Sequence, residues 1–219
     1  MNILLGILGI ILCFSLEVII EKIFKKEGLY VWVSVALVIA NILVAKNINV
    51  LNLQATLGNI LFASTFLATD ILSEKYSTKE SKKAINLGII SVILFTLATQ
   101  FSLLFKPNDL DMVNDSLKNI FTFNLRISVL SIIMCYLSNM LDIIVFEKIK
   151  KKIPNKMWVR NNIATIISNC LENYLFTLFA FIGIYDITTI FSIATATTIL
   201  EIIIAICDTP FLYLSKKLK

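Results

Sequence analysis

The chain has 219 residues, 58% of them hydrophobic and 16% charged, with a net charge of +5 and a mean hydropathy of +0.85. A soluble domain carries about 25% charged residues, and a chain this short has too little interior to hide so much apolar surface. The composition therefore excludes a water-soluble globule and leaves lipid to face the excess. There is no His, which removes the usual zinc and haem ligand sets. Cys13, Cys135, Cys170 and Cys207 all fall in apolar runs without metal-binding spacing, so neither a metal nor a cofactor is expected.

About 20 apolar residues cross the hydrocarbon core as a helix. Seven stretches qualify: Asn2–Ile20, Leu29–Ala45, Leu53–Leu72, Ala84–Phe105, Ile127–Phe146, Asn161–Ile184 and Thr188–Leu214. The first lacks a basic leader and a small-residue cleavage site, and Glu17, Glu21 and Lys22 lie at its end, so it reads as a retained span rather than a signal peptide. The third is the most polar, with Gln54, Asn59, Ser64, Thr65 and Thr69; such a helix is expected inside the bundle or partly broken. Lys106–Asn119 is an acidic connection with Asp109, Asp111 and Asp115 and room for a short surface helix. Lys148–Lys156 is a basic loop closed by Pro154.

With the amino terminus outside, one side of the membrane receives Lys22, Lys25, Lys26, Lys75, Lys79, Lys82, Lys83, Lys148, Lys150, Lys151, Lys152, Lys156, Arg160, Lys216, Lys217 and Lys219. Only Lys46, Lys106, Lys118 and Arg126 fall on the other. Basic loops are retained on the cytoplasmic side. The expected fold is an all-α integral membrane bundle of about seven helices in the plasma membrane, amino terminus outside and carboxyl terminus cytoplasmic. The net positive charge thus reports topology next to lipid, and no nucleic-acid partner is expected.

A charge inside lipid costs about 2.5–3.5 kcal/mol on insertion scales, so Asp70, Asp142, Glu172, Glu201 and Asp208 each need a reason. Helical spacing aligns Thr165, Asn169, Glu172, Asn173 and Phe176 on the sixth span. It likewise aligns Thr198, Glu201, Ala205 and Asp208 on the seventh, and Ser131, Cys135, Ser138 and Asp142 on the fifth. Asn41, Asp70 and Gln100 are candidates to join that interior. For the Ser and Thr residues, helix-to-helix hydrogen bonding is explanation enough. For Asp142 and Asp208, snorkelling or a cytoplasmic ion pair stands beside a functional role. Glu172 and Glu201 lie mid-span with no Lys or Arg at matching depth, which points to a cationic or donor-rich solute, or to a proton.

Phe66-Leu67-Ala68-Thr69-Asp70-Ile71-Leu72-Ser73-Glu74-Lys75-Tyr76, followed by the basic run Lys79–Lys83, resembles a signature of the queuosine precursor transporter family. Arg126 with Leu141-Asp142-Ile143-Ile144-Val145-Phe146, then Ile167–Phe176, then Asp208-Thr209-Pro210-Phe211, resemble its later motifs in the same order, and Asn41 and Lys46 match positions in its first core helix. The resemblance covers roughly Val35–Leu214. It departs in having Glu172 where that family usually has Asp, and Glu201 about where it commonly has Lys.

The resemblance implies a single transmembrane domain over 1–219, with 1–27 an added helix and basic loop and 28–219 the transporter core. It implies a small-molecule base as the solute, a 7-deazaguanine such as preQ0, preQ1 or queuine. The candidate contact residues are Glu172, Glu201, Asn169, Asn173, Asn41, Asp70, Asp142 and Phe176. A carboxylate accepts the two adjacent N–H donors of a guanine-like edge in a bidentate arrangement. Two other readings stay open: a capture subunit energised by a partner ATPase, and a non-transporting scaffold. Homo-oligomers are compatible with each. An enzyme finds no nucleophile–base pair at readable spacing.

Overall fold

The computed structural model describes residues 2–43, 46–50, 53–122, 125–183 and 185–218. The expected span ends Ala45 and Ile184, and Lys219, fall outside the described residues, as does the side chain of Arg126. The helices are α1 (Asn2–Leu43), α2 (Gly58–Lys75), α3 (Thr78–Ser102), α4 (Asn114–Thr122), α5 (Leu125–Lys152), α6 (Met157–Phe181) and α7 (Ile187–Lys217). A short antiparallel hairpin, β1 (Asn47–Val50) and β2 (Leu53–Thr56), pairs Asn47 with Thr56 and Val50 with Leu53.

At 1.5 Å per residue a straight α1 would be about 63 Å long, twice the hydrocarbon thickness. It doubles back instead at Lys25, whose φ of 55° and ψ of −141° are non-helical. Gly28 makes the reversal possible: a Cβ there would lie 2.8 Å from the carbonyl oxygen of Ile20. The limb 2–24 runs beside α2, with Gly9 against Ile60 and Glu21 on Lys75. The limb 26–43 runs beside α3, with Lys26 on Glu80 and Leu37 against Gly88. The first two expected spans are thus the two limbs of one helical hairpin.

The third span starts later than the sequence suggests. Residues 53–56 pair in the hairpin, and α2 begins at Gly58. Every residue from Ala63 to Ser73 is buried, because α2 is enclosed by its neighbours and not by lipid. Its hydroxyls are absorbed locally: Ser64 donates to the Leu61 carbonyl at 2.7 Å, Thr65 to Phe62 at 2.7 Å and Thr69 to Phe66 at 2.9 Å. Trp32 Nε1 donates to Ser64 at 3.0 Å across the α1–α2 contact.

The other long helices each keep one buried stripe and one apolar outer face. On α3 Ser81, Ala84, Ile85, Gly88 and Val92 are buried, while Leu87, Ile90, Leu94 and Leu97 are exposed. On α7 the stripe Ala194, Thr198, Glu201, Ala205, Asp208 and Leu212 is buried, with Ile199, Ile203 and Ile206 outside. Five helices among the described residues are long and apolar enough to cross a membrane, α1 being long enough for two crossings. With the enclosed α2, the architecture is a multi-pass helical membrane bundle. The short helix α4 begins inside the acidic connection, as expected, and runs past its expected end at Asn119 to Thr122. The basic loop is shorter than expected, since α5 carries Lys150, Lys151 and Lys152 in its last turn.

Candidate functional site

Two layers of polar side chains occupy the interior where α2, α5, α6 and α7 meet. In the first, Glu201 of α7 is 3% exposed and accepts a hydrogen bond from Asn173 Nδ2 of α6 at 2.7 Å. Glu172, one residue before Asn173, bonds to Ser138 of α5 and lies near enough to Glu201 for their charges to repel. Its Oε2 is buried without a partner, and so are both amide atoms of Asn169, one turn away. Neither carboxylate has an ion pair among the described residues. Phe176 is half-buried on the same helix face.

The second layer lies about 10 Å along the bundle, since Asp208 follows Glu201 by two turns. Asp142 of α5 accepts from Thr165 at 3.1 Å and from Ser168 at 3.2 Å. Asp208 accepts from Asn161 Nδ2 at 2.6 Å. Asp70 of α2 faces both, with its two oxygens unpartnered. Asp142 and Asp208 neither snorkel nor pair with a cytoplasmic cation: both are at most 1% exposed. Their polar neighbours on α6 hold them inside. Glu17 of α1 completes the layer opposite Asp208. The sequence offered it only as a charge at the end of a span, yet it is wholly buried.

One end of the bundle is closed by ion pairs. Glu74, the residue that follows α2's buried stretch, receives Arg160 of α6, Lys150 of α5 at 3.2 Å and Lys216 of α7 at 2.6 Å. Beside it Glu21 takes Lys75 at 2.8 Å, Tyr76 Oη at 2.8 Å and Ser215 at 3.3 Å. Burial pushes the Glu74 carboxyl up, but Lys216, Lys150 and Arg160 overcome it and hold the group below its usual value. Arg160 is therefore not a loop cation at the lipid surface. It is 1% exposed, donates to the Pro154 carbonyl at 2.6 Å and stacks 5.5 Å from the Phe146 ring centre.

Asn41 stands apart from the acidic layers. With Thr96, Thr99 and Gln100 it lines a small uncharged cavity beneath Phe121 of α4, so the two expected recruits Asn41 and Gln100 meet each other and not the carboxylates. Tyr174 turns outward to Thr195 and Phe191. Sequence reasoning missed Asn139 and Asn161, both fully buried, although the signal was there: Asn139 lies four residues after Cys135 and three before Asp142, and Asn161 four before Thr165, so each extends a polar stripe already drawn.

Residues 56–215 match the model of the family described as "Putative vitamin uptake transporter". The chain is 34% identical over 210 residues, 95% of its length and 92% of the relative's, to the "Probable queuosine precursor transporter" of Bacillus subtilis (strain 168). No solved structure matches it. The segment bearing Asp70, Asp142, Glu172, Glu201 and Asp208 lies wholly within the family match, and the chain is a membrane transporter, not an enzyme, that belongs to the vitamin uptake transporter family alongside the queuosine precursor transporters.

Proposed function

We propose that this chain imports a queuosine precursor, a 7-deazaguanine base such as preQ0, preQ1 or queuine, across the plasma membrane. The observation that carries the reading is the first polar layer: two mid-bundle carboxylates without a cation of their own, beside an Asn with both amide atoms free. A guanine-like edge presents two adjacent N–H donors to a carboxylate, so Glu172 or Glu201 accepts that edge. Asn173 and Asn169 serve the remaining ring donors and acceptors, and Phe176 covers a face. An aminomethyl substituent brings a cation for the second carboxylate. The likeness to a relative named for queuosine precursors supports the same solute class. The ion-paired basic end then faces the cytoplasm, by the retention of basic segments there.

Uptake into a strain that lacks precursor import, read as queuosine in its tRNA, tests this. Each base is fed separately to cells carrying the parent, Glu172→Gln or Glu201→Gln. The parent restores queuosine and each variant loses most of that restoration; parental rates in both variants would remove the site. Purified chain in liposomes separates a self-sufficient carrier from a capture subunit: solute entry without any ATPase excludes the latter.

A further inference from the structure

Glu17 and Glu21 sit one turn apart on α1, both with no exposed surface, yet their surroundings are opposite. Glu21 is fully engaged by Lys75, Tyr76 and Ser215. Glu17 has no hydrogen-bond partner on either oxygen. It faces α7 across the Phe14–Phe211 contact, whose ring centres are 5.4 Å apart, and the opposing charge is Asp208. Asp208 in turn faces Asp142 and Asp70. The groups about this cluster are Cys13 on α1, Glu74 on α2 and Arg160 on α6. Arg160 lies near enough for its charge to reach Asp70 but is ion-paired to Glu74, and among the described residues none of the four carboxyls has an ion pair of its own.

Four ionised carboxylates in a low-dielectric interior are each heavily penalised without a counter-charge. A metal ion would need at least three of them convergent, and no such trio exists among the described residues. Single protons on separate carboxyls satisfy the geometry. The unpartnered Asn161 Oδ1, on the residue that already binds Asp208, is an acceptor placed for a protonated carboxyl.

We infer that Glu17 and Asp208, with Asp70 and Asp142 linking them toward the solute layer, form a proton-carrying cluster that couples solute entry to the proton gradient. A carboxylate takes a proton from outside water when the outer side is open and releases it to the cytoplasm after the bundle reopens inward. One proton enters with each solute, and no other bond is made or broken. The inference rests on the solute reading above and adds to it the driving force and a separate set of residues.

The test uses the full chain in liposomes with the membrane potential clamped, and neutral preQ0 as the probe. Counterflow of labelled preQ0 without a pH gradient reports the solute site alone. Accumulation under a gradient of about one pH unit, inside alkaline, reports coupling. One proton per solute gives about tenfold accumulation, the factor carried by 1.4 kcal/mol. The parent is expected to show both. Glu17→Gln with Asp208→Asn is expected to keep counterflow within about twofold and to lose accumulation, while Glu17→Asp, which keeps a carboxyl, retains both.

Accumulation that the parent draws from a sodium gradient and not from protons overturns the inference. So does a double variant that accumulates like the parent, or one that loses counterflow together with accumulation while Glu17→Asp does the same. A parent without counterflow overturns the solute reading, and the coupling with it.

Discussion

Arg160 of α6 and Glu74 of α2 form an ion pair buried on both sides, at 1% and 7% side-chain exposure. Burying two charges costs more than their attraction returns unless other bonds complete the site. Here most are present: Lys150 and Lys216 share Glu74, and the Pro154 carbonyl accepts from the guanidinium, whose Nε alone is left without a partner. Four helices, α2, α5, α6 and α7, are thereby tied at one end. Opening that end toward water requires these pairs to part.

Removing one partner strands the other in low dielectric. Glu74→Ala and Arg160→Ala are each expected to cost about 3–5 kcal/mol, or roughly 6–20 °C in Tm at 2–4 °C per kcal/mol. Combining the two should cost well under the sum, since the second change removes an already orphaned charge. Thermal unfolding of the purified variants measures this. Single losses below about 1 kcal/mol, or strict additivity, would contradict a buried pair.

The same carboxyl sets an acid limit. Burial raises Glu74, but Lys216, Lys150 and Arg160 outweigh it and its folded value lies below the ordinary one. A depressed carboxyl stabilises the fold fully above its unfolded value of about 4.3. That contribution disappears as the pH falls through the lower, folded value. Tm measured from pH 7 down to pH 3 should therefore fall in the acid range, and Glu74→Gln should flatten that fall. An acid limb unchanged in Glu74→Gln would assign it to other groups.

The bundle was legible in the sequence because lipid imposes long apolar runs and basic ends, and both survive folding unchanged. The stripes on α5, α6 and α7 were legible for a related reason: a 3.6-residue period places Cys135, Ser138 and Asp142, or Glu201, Ala205 and Asp208, on one face whatever they meet. What they meet was not legible. Glu17, Arg160 and Asn161 acquire their roles from neighbours many residues distant, such as Asp208 and Glu74, and hydropathy cannot distinguish a charge leaving the membrane from one enclosed by helices. The late start of α2 escaped because hydropathy over about 20 residues averages away the polar–apolar alternation of Asn47–Val50 and Leu53–Thr56, which has the period of two that marks a strand.

Asn173 holds Glu201 at 2.7 Å and is itself 6% exposed. Asn173→Ala leaves a buried carboxylate without its donor, a loss of about 1–3 kcal/mol, and frees Glu201 to turn away from the solute. Solute affinity is expected to fall at least about fivefold, the low end of that range at 1.4 kcal/mol per tenfold. Asn173→Asp should fall further, because it adds a third negative charge beside Glu172 and Glu201. Titration of preQ0 against the purified variants measures both, and an Asn173→Ala affinity equal to the parent's would remove Asn173 from the site.

Two glycines should respond differently to the same test. A Cβ on Gly88 would meet the Leu37 Cδ1 at 2.6 Å and the Val33 Cγ1 at 3.1 Å, both ends of side chains. Overpacking of this kind costs about 1–3 kcal/mol, and Leu37→Ala should relieve most of the clash in Gly88→Ala. A Cβ on Gly28 would meet Ile20 twice, at 2.7 Å from Cγ2 and 2.8 Å from the backbone oxygen. Ile20→Ala removes only the first contact, so Gly28→Ala should stay destabilised in the double variant, with the reversal at Lys25 forced open. Thermal unfolding of the four variants separates the cases; equal rescue at both positions would mean that α1 does not turn back on its own backbone.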